Sequence, residues 1–100
     1  MITRLYFGVP KEAPLTGSIQ GLEHVLATVT GGFTAYAGTG VWQNPSTLEY
    51  VEELSYIYEI VHPDEPITRQ SILDFALAMK VLLKQQEVLV VRMRVEKEVL

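Results

Sequence analysis

The chain has 100 residues, 48% hydrophobic and 20% charged, with twelve acidic against eight basic side chains and a net charge of −4. That is one domain, taken as residues 1–100, and it is too apolar for a disordered segment. The absence of cysteine excludes disulfides, thiolate metal sites and thiol nucleophiles. No apolar run approaches the ~18–20 residues that span a bilayer, and the N-terminus lacks a basic-then-apolar signal, so a cytoplasmic protein without membrane contact is expected.

Ile2 to Val9 reads as a strand, with Leu5, Phe7 and Val9 on one face and Arg4, Tyr6 and Gly8 on the other. Pro10 and Pro14 end it, and Lys11–Gly17 is a loop. Ser18 caps a helix whose apolar stripe is Ile19, Leu22, Leu26 and Val29, closed by Gly31-Gly32. Phe33 to Gln43 is a second strand, in which Gly38 and Gly40 mark a bulge or a close backbone approach. A loop opens at Asn44-Pro45-Ser46, and Glu53 to Val61 returns as the third strand. Pro63 and Pro66 break that strand, and Thr68 caps a second helix with the stripe Ile72, Phe75, Ala76, Met79, Leu82 and Leu83. Glu87 to Val99 is the last strand, with Leu89, Val91, Met93 and Val95 on one face.

The order β-α-β-β-α-β predicts an α+β, ferredoxin-like domain: a four-stranded antiparallel sheet with two helices on one face. The other face would be polar in an isolated monomer. Here Tyr56, Tyr58 and Ile60 stand opposite Ile57 and Val61, and Val88 and Val90 opposite Leu89 and Val91, so both faces are apolar. Packing of the open face against other copies follows, with a homotrimer the expected form and Tyr56 and Tyr58 buried mainly by assembly.

Charge is unevenly placed. Between Glu12 and Thr68 there are eight carboxylates and no basic side chain. Nucleic acid is therefore not an expected partner, because phosphate contacts need Lys and Arg. The acidic residues either form a solvated face or make the segment from 43 to 53 favour cationic ligands over anionic ones.

Residues able to carry chemistry are few. His24 and His62 are the only histidines, so no metal site is expected. His24 falls within the first helix, and His62-Pro63-Asp64 reads either as an imidazole beside a carboxylate or as a turn at a strand end. Gly38-Thr39-Gly40 lacks the helix of a dinucleotide fingerprint. The remaining cluster is Thr34, Tyr36, Thr39, Trp42, Glu49, Tyr50, Glu52 and Glu53. Aromatic faces stack on purines or hold cations, and carboxylates pair with positive charge. The same residues also suit strand pairing and a subunit interface, and spacing leaves both readings open.

The segments Leu5-Tyr6-Phe7-Gly8, Gly32-Phe33-Thr34, Gly40-Val41-Trp42-Gln43, Ile60-Val61-His62-Pro63-Asp64 and Gln86-Glu87-Val88-Leu89 resemble a family of small bacterial and phage proteins. The architecture also resembles the PII and CutA group, ferredoxin-like trimers with ligand sites between subunits. Trp42, followed after a loop by Glu52-Glu53 and a strand, is similar to CutA and to phage S-adenosylmethionine lyases. In those lyases the substrate's own carboxylate displaces methylthioadenosine and closes homoserine lactone, with a tyrosine and a glutamate in the site. The resemblance implies Glu53 at the carboxylate's position and Trp42 at that of the aromatic hydroxyl. The ligand-binding set is then Thr34, Tyr36, Thr39, Tyr50, Glu52 and Arg92, the last reaching a neighbour's cleft, and no cofactor is implied. Two functions follow: a trimer acting on S-adenosylmethionine, or a non-catalytic PII-like module that binds a nucleotide or a protein partner.

Overall fold

Alternation along Ile2–Gly8 (β1) buries Thr3, Leu5 and Phe7 and leaves Ile2, Arg4, Tyr6 and Gly8 partly open on the other side. The computed structural model describes residues 1–8 and 16–100, so Val9 and most of the expected Lys11–Gly17 loop lie outside the described residues. The remaining elements are α1 (Thr16–Thr30), β2 (Thr34–Gln43), β3 (Tyr50–Val61), α2 (Pro66–Leu82) and β4 (Leu89–Met93). The sheet is ordered β2-β3-β1-β4 and every neighbouring pair is antiparallel. This is the α+β, ferredoxin-like arrangement expected from the element order.

One face of the sheet carries the core. Leu5 and Phe7 of β1 meet Tyr58 and Ile60 of β3, Leu26 of α1, and Ile72, Phe75, Ala76 and Met79 of α2, with Leu83 just beyond its end. Phe7, Tyr58 and Phe75 pack edge to face, with ring centroids 5.2–6.4 Å apart. Such pairs add about 0.5–1.5 kcal/mol beyond the area they bury. Tyr58 is 3% exposed in the single chain. The helices therefore bury it, and the expectation that assembly would do so is corrected.

Element ends differ from the sequence reading for local reasons. Helix α1 begins at Thr16, ahead of the expected Ser18 cap, and ends as expected at Gly31 and Gly32, both at positive φ. Its Val29 stays 47% exposed and outside the core, whereas Leu26 is buried. Helix α2 starts at Pro66, with Glu65 as its cap residue. Proline suits the first helical position because its missing N–H has no partner there, which places Thr68 inside the first turn, buried. Strand β3 starts at Tyr50 because the side chain of Asn44 accepts from the amides of Ser46 and Thr47, and Asn44 N–H closes onto Glu49 O at 2.8 Å. That turn spans residues 44–49, shorter than the expected loop. Strand β4 ends at Met93, which pairs with Ile2; β1 has no further strand residue for Arg94 to Val99 to pair with.

Candidate functional site

Among the described residues, β1 pairs with β3 up to Gly8 opposite Ser55, and β2 pairs with β3 up to Gln43 opposite Tyr50. Beside Gly8, on the face away from the helices, lies a cavity of about 370 Å³ lined by residues including Tyr6, Gly8, Trp42, Glu53, Ser55 and Gln85. Small-molecule sites commonly occupy roughly 300–1,000 Å³.

Antiparallel pairing sets which side chains share this face. Gly40 stands opposite Glu53 and Trp42 opposite Val51, so the indole and the carboxylate are diagonal neighbours. Two glycines make room for them. A Cβ on Gly40 would stand 2.8 Å from Trp42 Nε1, and one on Gly8 would stand 2.7 Å from Gln85 Oε1 and 3.1 Å from Glu53 Oε1. The close approach expected at Gly40 is that of Trp42.

The third wall comes from the end of α2. Lys84 turns into the left-handed region at φ 53, a conformation that costs a non-glycine residue about 1–2 kcal/mol. This turn brings Gln85 back to the sheet, where Oε1 accepts from Gly8 N–H at 3.1 Å and Nε2 donates to Leu83 O at 3.1 Å. Both ends of the amide are held. Among the described residues, Glu53 makes no ion pair and no Lys or Arg lines the cavity. Arg4, on the same face, is held by Glu59 at 2.8 Å.

Of the residues singled out in the sequence, the fold brings Trp42 and Glu53 together. Thr34 and Tyr36 share their face but pair with Glu59 and Ile57, about 20 and 13 Å along β3 from Glu53 at ~3.3 Å per residue. Thr39, Tyr50 and Glu52 point to the opposite side of the hairpin, since they pair in register with Leu54, Gln43 and Val41. Arg92 pairs with Thr3 on the helix side of the opposite edge strand and lines a separate cavity with Arg69 and Gln70. Tyr6, Gly8, Ser55 and Gln85 were not singled out. For Tyr6 and Gly8 the signal was present, because their parity is opposite to that of Leu5 and Phe7.

His62 serves the fold. Its Nδ1 donates to Pro63 O at 2.8 Å, which leaves Nε2 to accept from the buried Thr3 hydroxyl at 2.7 Å. Asp64 pairs with Arg69 and Arg94 instead of the imidazole, so the turn reading of His62-Pro63-Asp64 holds. His24 is exposed on α1. No group of three or more His, Asp or Glu side chains converges on a possible metal position among the described residues.

The fold defines a ferredoxin-like α+β domain with a cavity beside Gly8 whose described lining carries Glu53 and Glu87 and no Lys or Arg. The chain belongs to the family described as "Protein of unknown function (DUF3574)", which matches residues 3–98. Comparison with curated proteins gives no match. Among solved structures, the fold is similar to a phage SAM lyase in complex with S-methyl-5'-thioadenosine, with a TM-score of 0.65 and 15% identity over 89% of this chain and 76% of that one. It is equally similar to a phage SAM lyase in the apo state, with a TM-score of 0.65 and 16% identity over 89% and 75% of the two chains. No described helix is long and apolar enough to cross a membrane.

Proposed function

We propose that the cavity between Trp42 and Glu53 binds S-adenosylmethionine and that the chain acts on it as a lyase. The observation that carries this reading is an indole and a carboxylate side by side over two glycines, with no ion pair to Glu53 and no cation in the lining among the described residues. The shared fold with a phage SAM lyase that holds S-methyl-5'-thioadenosine supports it. Opposite charges ~4 Å apart gain about 4 kcal/mol at an effective dielectric of 20, before desolvation, and like charges lose as much. A sulfonium or ammonium is thus favoured here over a triphosphate.

The reaction requires little of the protein. A carboxylate oxygen of the substrate attacks the side-chain carbon bonded to sulfur. The carbon–sulfur bond breaks, and its electron pair leaves with methylthioadenosine as the lactone closes. Both the carboxylate charge and the sulfonium charge fade in the transition state, so a protein carboxylate on the sulfonium would favour the ground state. Glu53 serves best on the α-ammonium, whose charge persists, holding the amino acid end folded toward the reacting carbon. Trp42, a donor without a hydroxyl, stacks on the adenine. Thr34, Tyr36, Thr39, Tyr50, Glu52 and Arg92, spread over the molecule, join the site only across subunits. The reading therefore includes a PII-like homotrimer packed through the open face, where Leu89 and Val51 are 54% and 49% exposed in the single chain.

Isothermal titration with S-adenosylmethionine, methylthioadenosine and ATP, together with assay for released methylthioadenosine, tests the proposal. Binding of the two adenosyl thio-compounds, turnover of the first and loss of both properties in Glu53→Gln are expected. ATP binding as tightly as S-adenosylmethionine, with Glu53→Gln inert, would favour the nucleotide-binding module instead.

A further inference from the structure

On the helix side of the sheet, α1 does not cover β2. Ala35 and Ala37, whose side chains face that way opposite Tyr58 and Tyr56, remain exposed. The space they leave is a trough of about 380 Å³ between Ile19, Gln20 and Glu23 of α1 and the two alanines, floored by Tyr56 and Tyr58. It lies on the face opposite the Trp42–Glu53 cavity.

Its polar groups converge. Gln20 and Glu23 are three residues apart and share one side of the helix. The Tyr58 hydroxyl donates to Glu23 Oε2 at 3.2 Å, and its ring is locked against Phe7, Phe33 and Phe75. Burial, and then the Glu23 charge, raise the Tyr58 hydroxyl above its ordinary value, so it remains a donor. Among the described residues, Glu23 makes no ion pair and no Lys or Arg lines the trough.

We infer that this trough is a second small-molecule site, taking an organic cation with a flat apolar body, such as an aryl-alkyl amine. The ammonium would meet the open oxygen of Glu23 while Tyr58 holds the other. The flat body would lie across Ala35 and Ala37 against the Tyr56 ring and Ile19. Aromatic faces beside a carboxylate favour cations both through the ring quadrupole and by charge. The alanines matter because any larger residue would occupy the space.

NMR titration of the isotope-labelled full chain with phenethylamine tests this, with phenylacetate as the anion of similar shape. Saturable amide shifts at residues 19–23 and 35–37 are expected with the amine and absent with the acid. Glu23→Gln should weaken binding at least roughly tenfold, equivalent to about 1.4 kcal/mol. Ala37→Leu should abolish it while leaving the response to S-adenosylmethionine at Trp42 unchanged. If Ala37→Leu loses its dispersed spectrum, Ala35→Leu blocks the same space. Equal binding of amine and acid, shifts that survive the leucine variants, shifts centred on Trp42 and Glu53, or no saturable shift would each overturn the inference.

Discussion

Along β3, Tyr58 and Ile60 face the helices and are 3% and 0% exposed, while Val61 and Val51 face the other way at 41% and 49%. The same strand thus supplies the close-packed core on one side and, towards its two ends, an open surface on the other, where mid-strand Ile57 is buried. On the helix side the rings of Phe7, Tyr58 and Phe75 pack at centroid distances of 5.2–6.4 Å, so packing decides those positions. On the open side, glycines 8 and 40 stand where a side chain would otherwise fill the space, and among the described residues Glu53 has no ion-pair partner. A surface built this way gives up contacts that would stabilise the chain and gains room for something else.

The comparison predicts opposite effects of mutation on the two faces. Phe75→Ala, on the packed side, should cost about 3–5 kcal/mol in urea denaturation; a loss below ~1 kcal/mol would mean the edge-to-face cluster is not the structural centre. Trp42→Ala, on the open side, should leave the folding free energy within ~0.5 kcal/mol. It should also weaken adenosyl binding by about 1–3 kcal/mol, the range for loss of an aromatic stacking partner. Calorimetry and denaturation on the same sample separate the two effects.

Glycine substitutions sharpen the contrast further. Gly8→Ala puts a Cβ 2.7 Å from Gln85 Oε1, so the amide and Glu53 must shift. Adenosyl affinity should fall several-fold, roughly 1 kcal/mol, with a smaller change in melting temperature. Unchanged affinity would show that the position of Glu53 does not matter.

The smallest effect concerns pH on the packed side. The Tyr58 hydroxyl is raised from 10.0, chiefly by burial and secondarily by Glu23. Above pH 10 the unfolded chain releases this proton while the folded chain keeps it, so stability should decline as pH rises from there. Below that pH the group makes no pH-dependent contribution. Denaturation midpoints at successive alkaline pH values should show the decline in the wild type and a shallower one in Tyr58→Phe. Parallel slopes would count against it.

Much of the packed side was legible beforehand. The period-two pattern of Leu5 and Phe7, the helical stripe from Ile72 to Leu83, and the Gly31-Gly32 stop all depend on local geometry that a linear pattern records. Trp42 and Glu53 were also visible as a pair, through the resemblance to phage S-adenosylmethionine lyases. Their companions were not. Thr39, Tyr50 and Glu52 are close to them in sequence yet face the other way, because strand parity, not proximity, sets the face. Gln85 is far from Gly8 along the chain and reaches it only through the turn at Lys84.

Local periodicity and the turn residues by themselves determined the element order, the hydrophobic core and the ferredoxin-like class, since each depends on neighbours a few residues apart. Only the tertiary structure decided which side chains share the cavity beside Gly8, and that α1 leaves Ala35 and Ala37 uncovered. Those features depend on pairing register and on the relative lengths of strands distant in sequence, quantities that no local pattern encodes.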